Sequence, residues 1–364
     1  MNTAPPSRNA WKRLRRNKGA MFGIVIISIS IIIAIGGYLF SPDSTPYANR
    51  MIVEIGGQKP GFTQSFLKVP LANTPEAVSG IVKMANGAAD SYQYIPIQKA
   101  DITNDSVIVQ QYIDEDTSTR VAWSLAALNP SNQKDYSPVI TQKFYLGTDK
   151  YGRDILSRLL IGVRVSLSVG MVTVLISLTL GVLLGAFAGY FRGKTDDIIM
   201  WFINVIWSIP TLLLVFAITL LLGKGFWQVL IAIGLTMWVN VARIVRGQVL
   251  AQREMEYVEA ARALGFSSFR IILKHILPNV MGPVLVVAAS NFASAIVIEA
   301  GLSFLGIGVQ PPQPSWGLMI KENFNFIITH NPMLALAPGF AIMLLVLAFN
   351  LLGNGLRDAL AVKE

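Results

Sequence analysis

The chain has 364 residues, of which 53% are hydrophobic and only 14% charged, and it carries a formal net charge of +9 with no cysteine. Soluble domains carry about a quarter charged residues, so this is a membrane composition, and the lack of cysteine excludes disulfides and thiol chemistry. The basic excess invites a nucleic-acid partner, but the placement of the charges argues for membrane lipid and no nucleic acid.

Arg8, Lys12, Arg13, Arg15, Arg16 and Lys18 directly precede the first apolar run, Met21–Phe40. Basic flanks resist translocation, so this cluster predicts a cytoplasmic N-terminus. The run is too long for a secretory signal and lacks the small-residue cleavage site, so it reads as a retained anchor. Five further runs approach or exceed the ~20 helical residues that cross a bilayer. They are Val165–Phe191, Ile198–Gly223, Gly225–Ala242 (the shortest), Asn279–Ile298 and Asn331–Leu356. Six crossings return the C-terminus, with Arg357 and Lys363, to the cytoplasm. The connections Arg192–Asp197 and Arg243–His275 fall on that side, the second carrying Arg243, Arg246, Arg253, Arg262, Arg270 and Lys274. The outer turns hold only Lys224 and Lys321, so charge counting and helix counting agree.

Between the first two crossings the composition changes. Ser41–Ile140 holds ten acidic and seven basic residues, against a strongly basic remainder. Strand-like pieces at Met51–Ile55, Tyr92–Ile97 and Val107–Ile113, punctuated by Pro, Asn, Gly and Asp, predict a small extracytoplasmic insert containing β-strands. The alternative is a partly disordered loop, since Gly87-Ala88-Ala89 and Asn129–Asp135 are weakly patterned. The expected organisation is therefore a basic N-terminus with the first crossing (1–43), an extracytoplasmic insert (44–143) and a five-helix core (144–364).

At the insert's end stands Gly147-Thr148-Asp149-Lys150-Tyr151-Gly152-Arg153-Asp154. Thr148 and Asp149 are candidate caps for a helix beginning near Tyr151. Arg153 and Asp154 read as an exposed pair, with each other or with a partner subunit, stabilising by under ~1 kcal/mol. Gly181, Gly185 and Gly189 recur every four residues and predict close approach of a helix, from this chain or from a partner. Pro210, in Ser208-Ile209-Pro210, removes a backbone donor mid-run and predicts a kink, lining a passage or simply packing. Arg243 and Arg246 suit lipid phosphates, or pair with Glu254, Glu256 or Glu259.

The cytoplasmic stretch Glu256-Tyr257-Val258-Glu259-Ala260-Ala261-Arg262-Ala263-Leu264-Gly265 follows, closed by Ile276-Leu277-Pro278. Its residues are good helix formers, and Gly265 suits the left-handed position after a helix. The alanines keep the helix thin enough to lie in another protein's groove. Met255, Val258, Ala261 and Leu264 fall near one face and predict an apolar stripe for that partner. An ordinary amphipathic loop helix is the plainer alternative. Farther on, Glu299 is the one ionisable residue well inside an apolar run, where a bare carboxylate is costly. It predicts a wet cavity, a cationic partner or a structural hydrogen bond. Trp316 suits the outer headgroup region, Pro311, Pro312 and Pro314 predict a stiff outer turn, and Asn350 is a polar residue in the sixth crossing.

The Glu-Ala-Ala stretch with Gly265, Leu277 and Pro278 at this spacing resembles the coupling loop of ABC-importer membrane subunits. Gly147–Asp154, His275-Ile276-Leu277-Pro278, Glu299-Ala300-Gly301-Leu302-Ser303-Phe304-Leu305-Gly306-Ile307-Gly308 and Phe349–Asp358 sharpen the resemblance to the C-type permease of the peptide and nickel importers. It covers Phe144 to Ala361 almost without gaps. The resemblance implies an all-α polytopic membrane protein of about six transmembrane helices, the type I importer fold, in the bacterial inner membrane with both termini cytoplasmic. It implies a coupling loop at 243–278, with Glu256, Glu259, Ala260, Ala261, Leu264, Gly265 and Pro278 coupling to the ATPase, and Glu299, Asn350 and Pro210 as possible pathway residues. It also implies a second homologous permease, two P-loop ATPase subunits and an extracytoplasmic substrate-binding protein as partners. ATP and Mg would be handled by the ATPases, and peptide, or alternatively nickel, would be the substrate.

The chain contains no G-x-x-x-x-G-K-[ST] loop, so P-loop chemistry is excluded. With two histidines and no cysteine it offers no metal constellation, and no nucleophile–base set can be argued. The expectation is a chain that is not an enzyme and binds no cofactor itself. An ion-coupled secondary transporter is the alternative, though such proteins usually carry inverted repeats and several intramembrane ionisable residues. A membrane-anchored adhesion or sensor module would explain the insert but not the Glu256–Gly265 stretch.

Overall fold

The computed structural model describes residues 6–72, 75, 78–103, 105–114, 117–129, 136–328 and 331–360. Residues 130–135 of the weakly patterned stretch and Lys363 lie outside the described residues, as does the side chain of Arg8. In chain order, α1 (Pro6–Arg16) carries the basic cluster except Lys18, and α2 (Lys18–Phe40) carries Lys18 and the first apolar run. The insert contributes β1 (Phe62–Pro70), α3 (Gly80–Asn86), β2 (Tyr92–Ile102), β3 (Ser106–Tyr112), β4 (Ser118–Ser124), α4 (Leu125–Leu128) and β5 (Val139–Phe144). Then come α5 (Ile155–Phe191), α6 (Gly193–Trp207), α7 (Thr211–Leu222), α8 (Phe226–Arg253), α9 (Glu256–Ala263), α10 (Ser268–Ile271), α11 (Leu277–Phe304), α12 (Trp316–Asn323) and α13 (Met333–Leu360). Among the described residues five helical spans are long and apolar enough to cross a membrane, six when α6 and α7 count as one broken span.

The helices outrun the apolar runs. α5 begins ten residues before Val165, and α8 continues past Ala242 to Arg253, so part of the expected cytoplasmic loop is a continuous helical extension. The third crossing differs more. Instead of a kink, α6 stops at Trp207 and α7 restarts at Thr211 at an angle of 92°. Pro210 stands at the N-cap of α7 with φ −53° and ψ 124°, an extended conformation that ends one helix before the next begins.

The chain divides into two compact units. The first comprises Met1–Ile31, Ser166–Gln310 and Ile342–Glu364. In it the spaced glycines of α5 meet this chain's own α8. A Cβ on Gly181 would lie 2.5 Å from Val241 Cβ, one on Gly185 2.5 Å from the Ala242 carbonyl, and one on Gly189 2.8 Å from the Arg246 carbonyl. Backbone approach this close lets dispersion hold two helices together where lipid supplies no hydrophobic drive. Gly23 approaches the Ala348 carbonyl in the same way, joining α2 to α13.

The second unit comprises Ile32–Val165 and Pro311–Ala341. Its centre is one antiparallel sheet in the order β4-β3-β2-β1-β5. Alternation along the strands buries both faces. Leu67, Ile97, Val107, Val109 and Leu128 pack on one side, and Ile52, Ile55, Phe66 and Phe144 on the other. Pro96 pairs with Phe66 of β1, while the β2–β3 ladder begins only at Ile97, so no bond to β3 is lost at the proline. Met51–Ile55 is not a strand. It holds a short 3-10 turn, Val53–Ile55, against the sheet.

The Gly147–Asp154 stretch corrects two expectations. Asp154, not Thr148 or Asp149, caps α5, which starts at Ile155, its carboxylate accepting from the Ser157 amide at 2.9 Å. Burial pushes the Asp154 carboxyl above its ordinary value against the opposing pull of the Ser157 bonds. Arg153 is 1% exposed rather than a surface ion. Its Nε donates to Asp149 Oδ2 and its Nη2 to Glu322 Oε2, each at 2.6 Å. Asp149 Oδ1 also accepts from the backbone of Tyr151 and Arg153. Gly152 has φ +73°, and a Cβ there would sit 1.7 Å from the Ile52 carbonyl. Trp316, expected at headgroup level, is instead 3% exposed and donates through Nε1 to the Leu159 carbonyl at 3.0 Å.

Candidate functional site

Helix α9 carries its own start and stop signals. Glu256 and Glu259 lie in its first turn and Arg262 in its last, each favoured by the helix dipole. At its end Leu264 is the cap, the Gly265 amide donates to the Arg262 carbonyl at 2.9 Å, and the Phe266 amide donates to the Ala261 carbonyl at 3.2 Å. This is the Schellman arrangement. Gly265 has φ +76°, and a Cβ there would meet nothing within 4 Å, so conformation rather than space demands glycine.

The two faces of α9 are not those expected. Val258 and Ala261 are buried, in a cluster with Tyr190, Val245, Val249, Ile271 and Ile272. They fasten α9 to the first unit's own core. Met255 is 46% and Leu264 72% exposed, and Glu256, Glu259, Ala260 and Ala263 are exposed as well. The free surface therefore holds two carboxylates, Tyr257, Arg262, two alanines and a terminal leucine, without the continuous apolar stripe. Ala261 belongs to the support rather than to the presented surface.

Beyond α10 the chain widens into a π turn, Ile272–Ile276, and the Leu277 amide donates to the Ile272 carbonyl. Pro278, exposed in the first turn of α11, has no amide for the Lys274 carbonyl. The wider turn accommodates that missing bond without ending the helix. His275 stacks on Phe266, ring centroids 5.8 Å apart and planes 9° apart. Arg246 pairs with Asp196 of α6, not with the glutamates near α9, through bonds of 2.5 and 2.6 Å. Arg192 takes Glu254 at 2.5 Å, and Arg243 lies 3.7 Å over the Trp207 ring.

A cavity of about 510 Å³ opens in the same unit among α6, α7, α8, α11 and α13. Three amides line it, Asn240, Asn291 and Asn350, with Thr211, Thr236 and Ser294 among otherwise apolar walls. Asn350 is legible in the sequence as a polar residue in an apolar run. Asn240 and Asn291 carry the same signal in their own runs, and the sequence reading misses them. Trp207 and Thr211, on either side of the α6–α7 break, line the cavity, so Pro210 shapes the wall without being part of it.

Glu299 is not on that wall. It is 1% exposed, and its Oε1 accepts from Ser303 Oγ at 2.6 Å. Ser303 Oγ in turn accepts from the Val309 amide at 3.0 Å. A Cβ on Gly308 would lie 2.2 Å from Ser303 Oγ. The carboxylate thus anchors the turn that closes α11.

A family model described as binding-protein-dependent transport system inner membrane component matches residues 181–363, and one for the N-terminal TM domain of oligopeptide transport permease C matches residues 5–57. A glutathione transport system permease protein of Pectobacterium atrosepticum is 42% identical over 219 residues, 60% of this chain and 72% of that protein. An oligopeptide transport system permease protein of Bacillus subtilis is 41% identical over 219 residues, covering 60% and 72%. A dipeptide transport system permease protein of Alkalihalophilus pseudofirmus is 42% identical over 240 residues, covering 66% and 78%. Among solved structures, an inward-facing form of the MetNI methionine ABC transporter superposes with a TM-score of 0.46 at 20% identity, over 56% of this chain and 97% of the other. The chain belongs to the binding-protein-dependent ABC-importer inner membrane components, and among them to the C-type permeases.

Proposed function

We propose that this chain forms half of the membrane pathway of an ATP-driven peptide importer and is moved by ATPase subunits through α9. The observation that carries the reading is the construction of α9, a capped helix fastened by Val258 and Ala261 with Glu256, Glu259, Ala260 and Leu264 turned outward. A helix held on one face and free on the other transmits displacement in both directions. The proposed partners are a second, homologous permease, two P-loop ATPases that handle ATP and Mg, and an extracytoplasmic binding protein. Catalysis then resides in the ATPases. The relatives named for oligopeptides, dipeptides and glutathione favour a peptide over nickel.

The amides of Asn240, Asn291 and Asn350 suit a peptide's alternating donors and acceptors without fixing its charge or sequence. The basic flank before α2 supports cytoplasmic termini in the inner membrane. In this proposal 1–43 is the anchor, 44–143 the extracytoplasmic insert and 144–364 the core with its coupling loop at 243–278. The test is uptake of labelled di- to pentapeptides into proteoliposomes holding the purified complex, with ATP inside and the binding protein outside. ATP-dependent accumulation of peptide is expected. Accumulation driven by an ion gradient without ATP would overturn the reading.

A further inference from the structure

The first apolar run, Met21–Phe40, spans ~30 Å as helix, the thickness of the hydrocarbon core, with no length to spare. Phe40 then stands at the hydrocarbon's edge, and Ala34 and Ile35 lie about 8 Å inside it. The outer part of α2 is left uncovered by the rest of the chain, for Ile32, Ile35 and Leu39 are 59%, 57% and 62% exposed. At this depth Arg164 of α5 joins two segments. Its guanidinium donates to the Ala34 carbonyl and to the Ile35 carbonyl at 2.9 Å, and also to the carbonyls of Met84 at 2.6 Å and Ala85 at 2.5 Å. The Tyr38 ring lies 4.8 Å from the same guanidinium.

Met84 and Ala85 end the insert's helix α3. Its last carbonyls have no partners within the helix, and bare carbonyls in hydrocarbon cost several kcal/mol each. Arg164 supplies the donors that water would otherwise provide. The N-terminal end of α3 is closed too, with Ser79 Oγ accepting from the Val82 amide, and at the C-terminal end the Gly87 amide donates to the Lys83 carbonyl. A Cβ on Gly87 would lie 2.7 Å from the Ser44 carbonyl and 2.9 Å from the Tyr38 ring, so α3 is pressed against the end of α2. Yet Val78, Ile81 and Val82 are turned away from the protein, 43%, 78% and 43% exposed.

We propose that α3 is a membrane-inserted strap, with Ile81 and Val82 among the acyl chains of the leaflet on the sheet side and Lys83 reaching the headgroups. Its partner is phospholipid. The strap continues the lipid-facing surface of α2 and fixes one edge of the insert at the bilayer, because a helix tied to Ala34 and Ile35 has no position above the headgroups. Unsatisfied apolar exposure on a helix with both ends satisfied is the pattern of an interfacial helix.

The chain has no cysteine, so single labels are read directly. Ile81→Cys and Thr119→Cys, the latter on exposed strand β4, are labelled with bimane in the full chain in phosphatidylethanolamine–phosphatidylglycerol nanodiscs. Nitroxide-labelled phospholipid is expected to quench the residue-81 probe about threefold more than the residue-119 probe, and aqueous iodide to reverse the order. Adding Arg164→Gln should raise iodide access at residue 81 towards that at residue 119. Equal iodide quenching of both labels in the parent chain would overturn the proposal. So would lipid quenching at residue 81 that is unchanged by Arg164→Gln in a chain that still reconstitutes, since the clasp would then not set the depth.

Discussion

Asp149, Arg153 and Glu322 form a buried charge cluster, and its strength depends on completeness. Arg153→Met leaves buried Asp149 and half-buried Glu322 with only Arg158 as a cation, whose nearest contacts to them are 4.0 and 3.7 Å. Removing one partner of such a pair is expected to cost about 3 kcal/mol, read as a lowered melting temperature in detergent. Gly152→Ala places a Cβ against the Ile52 carbonyl at a left-handed φ and should cost at least ~2 kcal/mol by the same measurement. Glu299→Gln tests which of the roles left open by the sequence this carboxylate plays, and the structure favours the hydrogen bond. An intramembrane carboxylate suggested contact with a peptide's cationic end, but the group is bonded to Ser303 and lies off the cavity wall. Uptake of cationic and neutral peptides should therefore change in equal proportion in this variant, whereas Asn291→Leu and Asn350→Leu should lower peptide uptake with membrane insertion intact. A selective loss of cationic peptides in Glu299→Gln would return the carboxylate to the pathway.

Helices behave according to what each face meets. Gly185→Leu should separate α5 from α8, since even a Cβ there meets the Ala242 carbonyl at 2.5 Å and Val245 at 2.9 Å. Loss of folded, monodisperse protein is the expected outcome. On α9 the buried and free faces predict different failures. Ala261→Trp should destabilise the chain itself, while Ala260→Trp should leave it folded and abolish uptake, and Gly265→Val should weaken the cap and lower uptake. Normal transport in Ala260→Trp would count against docking through this face. Local reading of apolar run length and helix propensity gave the spans and the Gly265 cap, because those signals do not depend on packing. It failed on which α9 face is free, because Val258 and Ala261 look equally suited to a partner or to Tyr190 and Val249. It also placed the α5 cap too early, since Asp149 and Asp154 are both good caps and only the Arg153 pairing decides between them. Strands β1, β4 and β5 went unread, their apolar residues too mixed with polar ones to alternate clearly, whereas β2 and β3 carry denser β-branched and aromatic runs.

For the whole molecule, the asymmetric placement of Lys and Arg and the count of apolar runs were enough to read a polytopic membrane protein, and the long connection after α2 was enough to read an insert with strands. The internal cavity was not legible, because three amides on separate helices meet only after packing. The central claim is that ATPases act on this chain through the free face of α9. Its most direct test is a cysteine at position 260 in the otherwise cysteine-free chain, cross-linked in native membranes with a short bifunctional reagent and the products identified by mass spectrometry. The account predicts a cross-linked product with a P-loop ATPase whose yield changes when ATP binds and is lost on moving the cysteine to buried position 258. A complex that transports peptide with no ATPase cross-link from position 260, but a strong one from elsewhere on the chain, would contradict it.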